Sequence, residues 1–214
     1  MENITIEVNN ISKSFKDKQI LMDVKLECKG GNIYGIVGYN GSGKTVLFKC
    51  ICGFYRVDQG NVLVNGQVMG KDIDMLTSAG IIIEEPGYIR NFSGYKNLEF
   101  LYRIRNRKSR EIIESAMKSV GLDPASKKKV ENYSLGMRQR LAIAQATMEE
   151  QKILILDEPM NGLDRDGVEQ MREYFENLKK QGRLIILASH NREDIEILCD
   201  EVYEMDHGLL KRVK

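Results

Sequence analysis

Residues 38 to 45 read Gly-Tyr-Asn-Gly-Ser-Gly-Lys-Thr, so Tyr39, Asn40, Gly41 and Ser42 separate Gly38 from the closing Gly43-Lys44-Thr45. That spacing is the one with which a backbone wraps a polyphosphate. Glycines at 38, 41 and 43 permit the close approach, Lys44 brings a point charge to the outer phosphates, and the Thr45 hydroxyl can ligate Mg2+. Such a loop works only at the mouth of a helix, where free N–H groups converge on an anion. The flanks supply this: the apolar run Ile33 to Val37 precedes the loop, and the helix-like KTVLFKCIC continues from Lys44. A glycine-rich turn that merely happens to precede Lys-Thr needs neither flank.

A partner carboxylate belongs at the end of a second buried strand. Asp157 follows the apolar Ile153 to Leu156 and is itself followed by Glu158. Taken alone, two acids after a strand read equally well as a solvated turn. Beside a full phosphate loop, the reading is chemical: Asp157 to orient Mg2+ or its water shell, Glu158 to polarise a water attacking the γ-phosphate.

These side chains need a scaffold, and the pattern along the chain outlines one. Up to about residue 70 the sequence reads as short strands (ITIEV, NISKSF, VKLEC, IYGIV, NVLVNG), the last closing on the hairpin dipeptide Asn65-Gly66. From about Gly94 to Glu150 the apolar residues recur at helical steps, as in Leu98, Leu101, Tyr102 and then Ile112, Ile113, Ala116, Met117, Val120. After Gln151, strands KILILDEP and RLIILASH flank a helix expected from about Gly167 to Gln181. Strands alternating with helices imply a parallel sheet, and the helical block reads as an inserted lobe.

Composition sets the outer limits. The chain has 214 residues, 42% hydrophobic and 29% charged, the mixture of one globular domain. Thirty-two basic against 31 acidic residues give a net charge of +1, which offers no general attraction for nucleic acid. No apolar run approaches the ~18–20 residues that cross a bilayer, and the opening MENITIEVNN lacks a secretory pattern, so a cytoplasmic location is expected. Four cysteines, at 28, 50, 52 and 199, form no CxxC pair, which points to reduced thiols.

With these motifs in place, the sequence resembles the nucleotide-binding domain of ABC transporters from end to end. Tyr133 to Arg140, YSLGMRQR, resembles the family's signature motif, with Ser134 and Gly136 retained. Asp164 in MNGLD resembles the D-loop aspartate and His190 the switch histidine, while Phe15 in SKSF resembles the aromatic that stacks on adenine. The segment IIIEEP, 81–86, falls where the Q-loop belongs. The implied fold is α/β: a P-loop NTPase core with a mostly parallel sheet, an N-terminal antiparallel β subdomain and an inserted α-helical subdomain. The implied division is residues 1–86 and 151–214 as catalytic core, with 87–150 as the signature lobe.

Two positions depart from the pattern. Glu84 stands where the family carries glutamine; a carboxylate can still organise Mg2+ or water, but it adds negative charge and cannot donate as an amide does. Val46 stands where many relatives have a second threonine, which implies a weaker grip on nucleotide. With the SLGM signature, Glu84 is similar to the bacitracin-resistance and lantibiotic-immunity branch, which implies export of antimicrobial peptide or drug.

The resemblance implies ATP and Mg2+ as cofactors and a head-to-tail dimer, with a second copy or a homologous ATPase subunit. In that dimer Ser134 and Gly136 of one copy cover the γ-phosphate held by the loop of the other. Glu158 is then the general base, His190 the γ-phosphate sensor, Lys44 a charge stabiliser, Glu84 an auxiliary ligand and Asp164 a cross-dimer contact. A separate integral-membrane permease is expected to dock beside Glu84 to Tyr95 and hold the chain on the inner face of the membrane. Two other readings stand beside this one. A non-transport ABC ATPase acting on nucleic acid typically carries two cassettes or a long insertion, and a low-turnover regulatory module would accommodate the changes at Glu84 and Val46.

Overall fold

The structure, a computed structural model, describes residues 4–107 and 109–214; the first three residues of the stretch read for a secretory pattern lie outside it. Two long strands open the chain, β1 (Thr5–Phe15) and β2 (Lys18–Lys29), followed by β3 (Ile33–Val37) and helix α1 (Lys44–Ile51). Then come β4 (Gln59–Val64), β5 (Gln67–Val68) and β6 (Ala79–Ile82). Three helices follow: α2 (Gly94–Tyr102), α3 (Arg110–Ser119) and α4 (Leu135–Thr147). The chain ends in alternation: β7 (Ile153–Asp157), α5 (Arg165–Lys180), β8 (Leu184–Ser189), α6 (Arg192–Leu198), and the hairpin of β9 (Glu201–Asp206) and β10 (Leu209–Arg212).

The strands form two sheets. One is antiparallel, in the order β2-β1-β4-β5. The other runs β10-β9-β3-β8-β7-β6 and is parallel except at the β9–β10 hairpin. The mixed α/β architecture implied by the resemblance is the one observed. β4 turns into β5 through Asn65 and Gly66, both at positive φ (51° and 78°), the conformation that a tight hairpin of this twist demands.

Alternation along the central strands explains why the parallel sheet is covered on both faces. In β7, Leu154 and Leu156 enter one core with Leu141, Met171 and Phe175 of the overlying helices, while Ile153 and Ile155 enter a second core with Phe48 of α1 and Ile6 of β1. Ile185 and Leu187 of β8 side with the first, Leu184 and Ile186 with the second. Burial on both faces accounts for the unbroken apolar runs.

Two local readings are corrected. ITIEV and NISKSF are one strand, β1, whose register shifts between Val8 and Ile11; Asn10 sits there at φ 51°, a bulge rather than a turn. The helix expected from Gly167 starts at Arg165, because the Asp164 side chain accepts a hydrogen bond from Gly167 N at 2.9 Å and fixes the first turn.

Candidate active site

β3 is buried along its whole length between β8 and β9, and its C-terminal end delivers the loop 38–45 to the edge of the parallel sheet. Gly43, at φ 118°, is the N-cap of α1 and contributes no side-chain cap, so the first-turn N–H groups face the loop. Across the loop, Lys44 Nζ donates to Gly38 O at 2.7 Å and Tyr39 O at 3.2 Å. The hydroxyl of Ser42 is buried without a hydrogen-bond partner, an orphan that a ligand oxygen would satisfy. From below, Gly208 N donates to Ser42 O at 3.1 Å, and His207 N to the Tyr39 hydroxyl at 3.3 Å, so the β9–β10 turn props the loop.

The ends of β7 and β8 meet this loop. Thr45 Oγ1 donates to Asp157 Oδ2 at 2.6 Å. Burial holds the Asp157 carboxyl above its ordinary range, with Glu158 and Glu84 adding to the rise against the Thr45 hydrogen bond and Lys44. Glu158 adopts φ 51°, a left-handed conformation rare for this residue type, pinned by its N–H donating to Ala188 O at 2.9 Å. Its Oε2 lies 2.9 Å from His190 Nδ1, and since a carboxylate only accepts, Nδ1 carries the hydrogen.

Glu84 lies two residues past β6, at φ 63°, and its Oε1 is paired with Lys49 Nζ at 2.6 Å. A cavity of about 220 Å³ connects Glu84, Asp157 and Glu158 with Tyr88, Leu135 and Gln139. Gln139 Nε2 closes one side by donating to Glu158 O at 3.2 Å.

The remaining expected residues lie around this centre. Ser134 caps α4, its Oγ accepting from Met137 N at 3.2 Å. Gly136 packs on the turn before Asp164, where a Cβ would stand 2.9 Å from Gly162 O. Phe15 is 40% exposed and meets Tyr55 edge to face at 5.1 Å, with Lys13 Nζ 5.4 Å from its ring centre. Val46 is half-buried and packs against the second core. Sequence reasoning passed over Lys49, Tyr55 and Gln139. For Lys49 there was one signal, its place four residues beyond Thr45 on the same helix face.

The family model described as ABC transporter matches residues 21–161. Among curated proteins, the chain is 39% identical over 206 residues to the ABC transporter ATP-binding protein YybJ of Bacillus subtilis (strain 168), covering 96% of this chain and 94% of that one. The chain belongs to the ABC transporter family. Within the family it is also 38% identical to the bacitracin transport ATP-binding protein BcrA of Enterococcus faecalis, over 96% of this chain and 67% of the relative. To the lantibiotic transport ATP-binding protein SrtF of Streptococcus pyogenes it is 34% identical, over 91% and 84%. The fold is that of a dimeric bacterial ABC transporter cassette, MJ0796, with a TM-score of 0.86 at 22% identity, covering 98% of this chain and 99% of that one. This ABC cassette therefore binds and hydrolyses ATP. Among the described residues, none of its helices is long and apolar enough to cross a membrane.

Proposed function

We propose that two copies of this chain, or this chain and a homologous subunit, close head to tail on ATP and drive a separate membrane permease that exports an antimicrobial peptide or drug. The observation that carries the reading is the convergence of Lys44, Thr45, Asp157, Glu158 and His190 on one sheet edge beside an orphaned Ser42 hydroxyl. The substrate class rests on likeness to bacitracin and lantibiotic transport proteins.

In this reading the loop amides and Lys44 hold the β- and γ-phosphates, and Phe15 stacks on adenine. Glu158 accepts a proton from the attacking water as its oxygen bonds to the γ-phosphorus; the bond to the bridging oxygen breaks and ADP leaves. His190 holds the Glu158 carboxylate through Nδ1 and keeps Nε2 for the γ-phosphate. Thr45 and Asp157 suit Mg2+: a hydroxyl and a carboxylate with raised proton affinity already meet there. Thr45 and Asp157 would hold the ion, with Glu84 as an auxiliary ligand. Mg2+ bound there neutralises phosphate charge.

Ser134, Gly136 and the first turn of α4 serve the partner's γ-phosphate, and Asp164 faces the same interface. Residues 87–150 act as the lobe that carries this surface, against the catalytic core of 1–86 and 151–214. The permease docks on the groove from Glu84 to Tyr95, where Ile89 and Phe92 are exposed, and thereby holds the chain on the inner face of the membrane. Turnover of ATP by the purified chain, alone and reconstituted with a candidate membrane permease, tests this. Slow basal hydrolysis raised severalfold by the permease is expected; identical rates with and without it would remove the transport reading.

A further inference from the structure

Thr45 and Lys49 stand four residues apart on α1 and so share one face of the helix. Thr45 points that face at Asp157, and one turn on Lys49 points it at Glu84. Glu84 stands two residues beyond Ile82, whose neighbour in the sheet is Leu156, so its backbone ends beside Asp157 and Glu158. Glu84, Asp157 and Glu158 thus line one cavity at the place where a polyanion must enter, with Lys44 as the loop's own cation.

Lys49 offsets that excess. Its side chain is 19% exposed against 66% for Glu84, and its ammonium also lies over the Tyr55 ring at 5.4 Å, where Tyr55 in turn meets Phe15. The lysine is the fixed partner and the carboxylate comes to it. We propose that Lys49 is a positioning residue: it draws the Glu84 carboxylate onto α1, so that a glutamate can occupy this place without repelling the incoming triphosphate. An amide at position 84 needs no such partner. The inference rests on the phosphate-loop reading above and adds a residue to it.

The experiment is a cycle of wild type, Lys49→Met, Glu84→Gln and the double variant, with Lys49→Arg as the conservative control. Methionine keeps the apolar stem over Tyr55 and removes the charge; Lys49→Gln replaces it if the Met variant does not fold. Equilibrium ATP binding in EDTA is read beside KM and kcat with Mg2+. Lys49→Met is expected to weaken ATP binding about tenfold beside the native Glu84 and less than about twofold in the Glu84→Gln background, a coupling typical of contacting charges. Lys49→Arg should stay within about threefold of wild type. Equal losses in both backgrounds, or an arginine variant as weak as methionine, would overturn the inference and leave the loop reading standing. Failure of the wild type to bind ATP would remove both.

Discussion

His190 Nδ1 and Glu158 Oε2 meet at 2.9 Å, joining the residue after β8 to the residue after β7 over the edge of the parallel sheet. The contact holds a carboxylate whose backbone is already fixed at φ 51°. In the proposed role as base, a carboxylate held from two sides would present one oxygen to a water with little reorganisation. Glu158→Gln keeps the size and a hydrogen bond to His190 but cannot take a proton. Steady-state kinetics should show kcat falling by about 10²–10³ with ATP affinity retained, and His190→Ala should lower kcat by a smaller factor. A glutamine variant at wild-type rate would remove Glu158 as the base.

Asp157 sets stability against function. Burial and the neighbouring Glu158 and Glu84 raise its proton affinity in the folded chain. At pH below the ordinary carboxylate value of about 3.9, both folded and unfolded chains carry the proton and no penalty exists. As pH rises through the elevated folded value, the native state must ionise a buried acid, and stability is lost. Asp157→Asn removes that cost and still accepts from Thr45. In the nucleotide-free protein it is expected to gain about 0.5–2 kcal/mol near neutral pH, or about 2–4 °C in Tm per kcal/mol at this size. The gain should fade toward pH 4 in melts followed by circular dichroism, while ATPase activity is lost. A variant that melts lower at pH 7 would contradict the burial cost.

At Gly136 the close approach is to backbone: a Cβ would stand 2.9 Å from Gly162 O. Gly136→Ala pushes the start of α4 from the turn that leads into Asp164. Strain of this kind costs about 1–3 kcal/mol. The alanine variant should therefore melt lower than wild type and lose permease-stimulated turnover, whereas a change at Ile104, which is 75% exposed, should shift the Tm little.

How much of this was legible depended on how local the encoding is. The strand, loop and helix of residues 33–51 are written in consecutive residues, and the acids at 157 and 158 are announced by the apolar run before them. β1 was misread because Asn9 and Asn10 look like turn residues, yet one residue at positive φ lets the strand pass through a bulge. Val46, one residue past Thr45, packs against the second core, a placement that the loop's spacing does not encode. The Lys49–Glu84 pair joins residues 35 apart in sequence, on a helix and a strand-end that only the folded sheet brings together. Pairings of that kind leave no periodic trace in the chain.

The measurement that bears most directly on a triphosphate shared between two copies is the mass of Glu158→Gln in solution, by light scattering, with and without ATP. The expected result is a single protomer without nucleotide and twice that mass with ATP, reverting to the protomer when Ser134→Arg is added to block the cap of α4. A Glu158→Gln protein that binds ATP and keeps the protomer mass at every concentration, or that pairs equally well when Ser134→Arg is present, would contradict it.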